Sequence, residues 1–180
     1  MIIGLTGYAQ SGKDTLANIL VEKYAFKRIA FADPIREFCY AMNPVVGHVA
    51  NEETILRQLV DRVGWDEAKQ YGGVRRLLQN VGIAAREVFG EQFWVAQALR
   101  NVHFTENVVI TDVRFLNEAN AIKQYDDAQI WRVKRPGFGP VNEHVSESEM
   151  ADYKADQIFY NAGTLEDLKV LVNTRMRAYV

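Results

Sequence analysis

A single cysteine, Cys39, stands in a chain of 180 residues. One thiol cannot close an intrachain disulfide, so a reducing cytoplasm is the expected compartment. A basic excess is missing as well, since 21 Lys and Arg stand against 23 Asp and Glu for a formal charge of −2. Bulk electrostatics therefore provide no grip on a nucleic-acid polymer, whose binders usually carry a basic excess. No apolar run approaches the ~20 residues that span a bilayer, and no membrane partner is expected. Met1 leads straight into an apolar segment with no cationic stretch ahead of it, so no secretory leader is expected. Internal repeats, low-complexity tracts and domain linkers are also lacking. With 48% apolar residues, the length suits one domain, residues 1–180, with a full core.

What the chain does have begins at its first residues. Met1 to Leu5 reads as a buried parallel strand, Gly7 and Gly12 bracket Tyr8, Ala9, Gln10 and Ser11, and Lys13 opens a helix carrying Leu16, Ile19, Leu20 and Tyr24. Strand, glycine-bounded loop and helix in that order form a phosphate cradle. The curled loop turns successive N–H groups inward, the helix N-terminus adds roughly half a positive charge, and the lysine adds a full one. G-x-x-x-x-G-K is the P-loop pattern, which normally continues with a magnesium-holding Ser or Thr. Asp14 occupies that place here and Thr15 follows it, which leaves the ligand open among Asp14, Thr15 and Asp112.

Further along, Lys27 to Ala32 reads as a second strand, and Asp33-Pro34 starts a helix through Ile35, Phe38, Cys39 and Met42. Asp33 is either a helix cap or an acceptor for a sugar or base, and Arg36 is placed to grip a second phosphate. Pro44 to Ala50 reads as loop with His48 a bystander, and Gly64 to Gly73 as a peripheral connection. A long helix from Val74 sets Arg75, Gln79 and Arg86 near one side, and a second segment, Glu91 to Val102, carries Phe93 and Trp94. Trp94 suits core packing and base stacking equally. The β-branched run Asn107 to Asp112 ends in a carboxylate of the kind that handles Mg²⁺ or its waters; a solvated strand end is the plainer reading. Arg114, Asn117 and Glu118 are expected in the same crevice. A fourth strand, Ala128 to Val133, enters Lys134-Arg135-Pro136-Gly137-Phe138-Gly139-Pro140, either a closing loop over a polyphosphate or a surface turn, with His144, Ser146 and Glu147 beyond. The last strand, Gln157 to Tyr160, precedes Asn161-Ala162-Gly163, whose backbone is placed to meet an adenine or to form a plain turn. A helix capped by Thr164 with Asp167 follows.

These parts predict a three-layer α/β fold of the P-loop NTPase type. Its five-stranded, mainly parallel sheet carries helices on both faces, with a helical insertion over about 34–106 for the acceptor and a lid-like segment over about 134–150. The dispersed arginines exceed what one triphosphate needs. Bringing two anions together requires positive donors at the transferred group and at the acceptor, so a small-molecule kinase with a phosphorylated acceptor is expected rather than a GTPase switch.

The segments GYAQSGKDT, RRLLQNVGIAAREVFGEQFW, VVITDVRFLNEA, RVKRPG, HVSE and NAGTLEDL, covering about a third of the chain, resemble the phage-type deoxynucleoside monophosphate kinases. The resemblance implies transfer of the γ-phosphoryl group of ATP to a deoxynucleoside monophosphate (dNMP), with Mg²⁺, and it accommodates Lys-Asp-Thr in the loop. By position it implies Lys13, Arg114 and Arg135 at the transferred group, and Asp112 with Thr15 near the metal. Arg76, Gln79, Arg86 and Trp94 are implied around the acceptor. Gly82-Ile83-Ala84 departs from the family's usual Gly-Thr-Asp or Gly-Thr-Glu, which bears on base preference. Base choice and pairing into a homodimer are left open. A kinase of the dephospho-coenzyme A or phosphomevalonate type and a non-catalytic ATP sensor are the competing readings.

Overall fold

In the computed structural model, described for residues 1–49, 52–103, 105–139 and 149–179, the chain divides into two compact units. The first comprises Met1–Phe31 with Asn101–Val180, and the second Ala32–Arg100. No described helix is long and apolar enough to cross a membrane.

In the first unit, β1 (Ile2–Thr6) is buried at every residue because both of its faces are covered. β5 (Val108–Ile110) and β6 (Ala128–Lys134) flank it, β2 (Lys27–Ile29) pairs with β5, and β7 (Gln157–Tyr160) pairs with β6. All four pairings are parallel, in the order β2-β5-β1-β6-β7. A sheet wound this way needs helices on both faces, and near-continuous apolar strands are its sequence signature. Ile3, Leu5, Val109, Trp131 and Val133 pack on one face against α1 (Lys13–Tyr24) and the C-terminal helix α7 (Leu165–Met176). The short α6 (Leu116–Ile122) lies on the other, with Ala119 and Ile122 fully buried. The expected five-stranded α/β sheet is thus present and, in this unit, wholly parallel.

The second unit holds α2 (Asp33–Met42), β3 (Val45–Val49), β4 (Glu52–Ile55), α3 (Leu56–Ala68), α4 (Gly72–Phe89) and α5 (Phe93–Leu99). Its core gathers Cys39, Leu56, Leu59, Val60, Ala68 and Val74. Burial pushes the Cys39 thiol up to about 11, so it packs as a small apolar side chain. Three expectations are corrected here. The stretch from Pro44, read as loop, contains an antiparallel pair in which His48 faces Glu53, because β-branched Val45, Val46, Thr54 and Ile55 suit a ladder despite the glycine between them. The connection expected over Gly64–Gly73 is largely helical: α3 continues past a kink at Gly64, whose φ of 76° and ψ of 167° interrupt the turn without ending it. Asp33 is not the cap of α2. Ala32 takes that position, and the Asp33 carboxylate instead accepts from Arg36 Nη1 at 2.9 Å.

Candidate active site

The first unit builds its polar cluster at the carboxyl ends of the parallel strands. β1 ends at Thr6, and the loop Gly7–Gly12 carries the chain into α1. Gly12 caps that helix at φ 103°, a conformation that favours glycine. Lys13 folds back over the loop, its ammonium donating to the carbonyls of Gly7 and Tyr8, both at 2.7 Å. Ser11 is only 1% exposed, and its hydroxyl has no hydrogen-bond partner among the described residues. Asp14 turns away, pairing with the guanidinium of Arg28, which also donates to Asn18 Oδ1 at 3.2 Å.

Beside this loop lies a cavity of about 470 Å³. Its wall includes Gly7, Tyr8 and Ala9 from the loop, Arg114 beyond β5, Lys134 and Arg135 at the end of β6, and Tyr160 at the end of β7. Lys134 and Tyr160 stand side by side in the β6–β7 register. Arg135-Pro136-Gly137-Phe138 closes a tight turn in which the Phe138 N–H donates to the Arg135 carbonyl at 3.2 Å. Proline second and a glycine of φ 80° third are the residues such a turn requires. The turn stacks the Arg135 guanidinium on the Phe138 ring at 4.9 Å. Arg132 grips the carbonyls of Met150, Ala151 and Tyr153, holding that returning segment at the cavity wall. A concave space with four cations, three aromatic rings and a glycine loop suits an anionic, ring-bearing ligand.

The structure therefore brings Gly7, Tyr8, Ala9, Arg114 and Arg135 to one cavity, with the Lys13 ammonium on two of its carbonyls. Gln10 adopts φ 60° within the loop, and Thr15 lies in the first turn of α1. Asp112 follows β5, its Oδ1 accepting from the Phe31 N–H at 2.7 Å. Asn161 reaches the loop through its side chain, Nδ2 donating to the Ser11 carbonyl at 3.0 Å, and Gly163 precedes the α7 cap, Thr164. Glu118 is corrected: it is 8% exposed and turns inward, its carboxylate accepting from the N–H groups of Arg114 at 2.7 Å and Phe115 at 3.0 Å. It caps α6 instead of facing a crevice.

Arg36, Arg76, Gln79, Arg86 and Trp94 all belong to the second unit. On α4, Arg76 and Gln79 are exposed and Arg86 half-buried. Trp94 is 8% exposed and edge-on to Phe93 at 4.9 Å, and it donates its indole N–H to the Gly82 carbonyl at 3.0 Å. Strand register brings Tyr160 and Arg132 to the cavity, a placement that no local sequence signal announces. His144, Ser146 and Glu147 lie outside the described residues.

A profile of the deoxynucleotide monophosphate kinase family matches residues 50–172. The chain is 31% identical over 186 residues to a protein of Acanthamoeba polyphaga mimivirus that carries the provisional name deoxynucleotide monophosphate kinase, covering 93% of this chain and 91% of the relative. Among solved structures, shikimate kinase from Aquifex aeolicus vf5 overlaps with 15% identity and a TM-score of 0.49, over 99% of this chain and 98% of that one. Dephospho-CoA kinase from Campylobacter jejuni overlaps at 15% and 0.42, over 99% and 95%. With its glycine loop and lysine set beside a cationic cavity, this chain is a phosphotransferase and belongs to the deoxynucleotide monophosphate kinase family.

Proposed function

We propose that the protein transfers the γ-phosphoryl group of ATP to a dNMP, giving the diphosphate and ADP. The observation that carries this reading is Lys13, whose ammonium sits on the Gly7 and Tyr8 carbonyls at the wall of a cavity that also presents Arg114, Lys134 and Arg135. Main-chain N–H groups of Gly7–Thr15 and the N-terminus of α1 bind the ATP phosphates. The orphaned Ser11 hydroxyl supports a ligand there, because a buried donor without a partner is unfavourable until something accepts from it.

A phosphate acceptor is already largely ionised at neutral pH, so no side chain has to remove a proton. The work is charge neutralisation and alignment. Lys13, Arg114 and Arg135 stabilise the transferred group, while Arg36, Arg76, Gln79 and Arg86 of the second unit bind the acceptor monophosphate. The Pro136-Gly137 turn and the Phe138 ring keep water from competing at the cavity. Donors for Mg²⁺ fit the small, hard cation: with Asp14 committed to Arg28, the Thr15 hydroxyl and the Asp112 carboxylate are oxygen ligands of the right chemistry. No cluster of three or more His, Cys, Asp or Glu exists among the described residues, as suits an ion that keeps waters and phosphate oxygens for its remaining positions. When bound, it neutralises charge on the ATP phosphates.

A coupled ADP-release assay tests the proposal over a panel of dNMPs, dephospho-coenzyme A and phosphomevalonate. Turnover is expected with at least one dNMP and with neither other acceptor. ADP release independent of every nucleotide acceptor would reject it.

A further inference from the structure

The phosphate loop is held from outside by one side chain 150 residues away in sequence: Asn161 Nδ2 donates to the Ser11 carbonyl at 3.0 Å. The two groups pack without spare room, since a Cβ on Gly12 would run into that same Nδ2. The Ser11 carbonyl and the Gly12 N–H belong to one trans peptide and point in opposite directions. Whatever fixes the oxygen therefore fixes the N–H. Asn161 is itself anchored through its main chain, its N–H donating to the Lys134 carbonyl at 2.8 Å where β6 gives way to the Arg135 turn.

We infer that Asn161 is a positioning residue, whose carboxamide sets the orientation of the Ser11–Gly12 peptide and so pre-aims the loop N–H groups at the ATP phosphates. The inference rests on the phosphate-binding reading of the loop. It gives Asn161 a different task from the adenine contact expected of its backbone. The orphaned Ser11 hydroxyl fits this arrangement: the loop is held in its curled form by a donor behind it, leaving a polar group inside unpaired. Pre-organisation of this kind shows as affinity, because the ligand no longer has to order the loop.

The test compares Asn161→Ala and Asn161→Asp with the unaltered protein. Both retain the main-chain bond to Lys134, and the aspartate is isosteric, so it carries the test should the alanine variant fail to fold. ATP and ADP binding are measured by titration calorimetry, the dNMP KM by steady-state assay, and amide exchange across residues 7–15 by mass spectrometry on nucleotide-free protein. Asn161→Ala is expected to lose at least ~10-fold in ATP affinity, the order of one lost hydrogen bond near charged groups. Asn161→Asp should lose more, since it removes the donor and adds a negative charge. The dNMP KM should stay within about twofold, and exchange should accelerate in residues 7–15 but not in α7. Unaltered ATP affinity and loop exchange in both variants would overturn the inference. Absence of ATP and ADP binding by the unaltered protein would instead overturn the reading of the loop itself, and the inference with it.

Discussion

Arg135 shows how much a single residue's setting decides. A flexible arginine in solvent loses rotamer entropy when it grips a ligand, but here the Phe138 ring lies under the guanidinium at 4.9 Å and the Pro136-Gly137 turn fixes the ring. Stacking leaves the planar fork free at its edge for phosphate oxygens, a geometry that lysine cannot copy. Replacing Arg135 by Ala is expected to lower turnover at least ~10-fold, in the range of arginines that stabilise phosphoryl transfer, and Lys should restore only part of it. The ADP-release assay measures both, and an unchanged rate with alanine would assign Arg135 to the surface. Glu118 is the opposite case. Its neighbours Arg114 and Asn117 made it look like a site residue, yet two main-chain N–H groups at the start of α6 claim its carboxylate. A cap and a ligand-binding acid have the same one-letter signature, and only the direction of the side chain separates them.

Among the elements, α7 is the one whose start was most legible. Thr164 Oγ1 accepts from the Asp167 N–H at 3.3 Å, and the Asp167 carboxylate accepts from the Thr164 N–H at 2.7 Å. The Thr164 main chain, and next its hydroxyl, hold the Asp167 carboxyl below its ordinary range. A carboxyl depressed by folding stabilises the protein fully above its unfolded value of ~3.9, and that contribution is lost as pH falls through the folded value. Thr164→Ala is expected to destabilise by about 1 kcal/mol in urea unfolding at neutral pH. Asp167→Asn should be less stable than the parent at pH 7, with the gap closing towards pH 3; a gap that widens in acid would contradict this sign. The hairpin of β3 and β4 was less legible, because Pro44 and Gly47 punctuate a run whose β-branched residues only form a ladder once a partner strand is present. α3 misled for a related reason: Gly64 breaks the φ/ψ pattern locally, but buried Leu56, Leu59, Val60 and Ala68 keep the segment packed on either side of it.

For the whole molecule, a nucleotide bound by the folded chain and not by the unfolded one must raise stability by mass action. ADP at ~100 times its dissociation constant adds about 2.7 kcal/mol, which for a chain of this size corresponds to a rise of roughly 5–10 °C in Tm. Scanning calorimetry should show that rise in the parent and a much smaller one in Lys13→Ala at the same ADP concentration. An equal rise in both would remove Lys13 from the phosphate site.

Residue pattern alone determined the parts whose physics is local. A buried apolar strand, a glycine-bounded loop, a lysine at a helix start and a Thr-x-x-Asp cap are each set by near-neighbour sterics and hydrogen bonds, and each stands where the chain order predicts it. Tertiary structure decided the rest. β5 enters between β2 and β1, Tyr160 comes level with Lys134, and Asn161 meets Ser11, because a sheet buried on both faces selects its strand order and register by total packing. No short window of sequence contains that sum, which is why Arg114, Lys134 and Arg135 could be named beforehand while the place of Tyr160 in the cavity wall and of the Asn161 side chain on the loop could not.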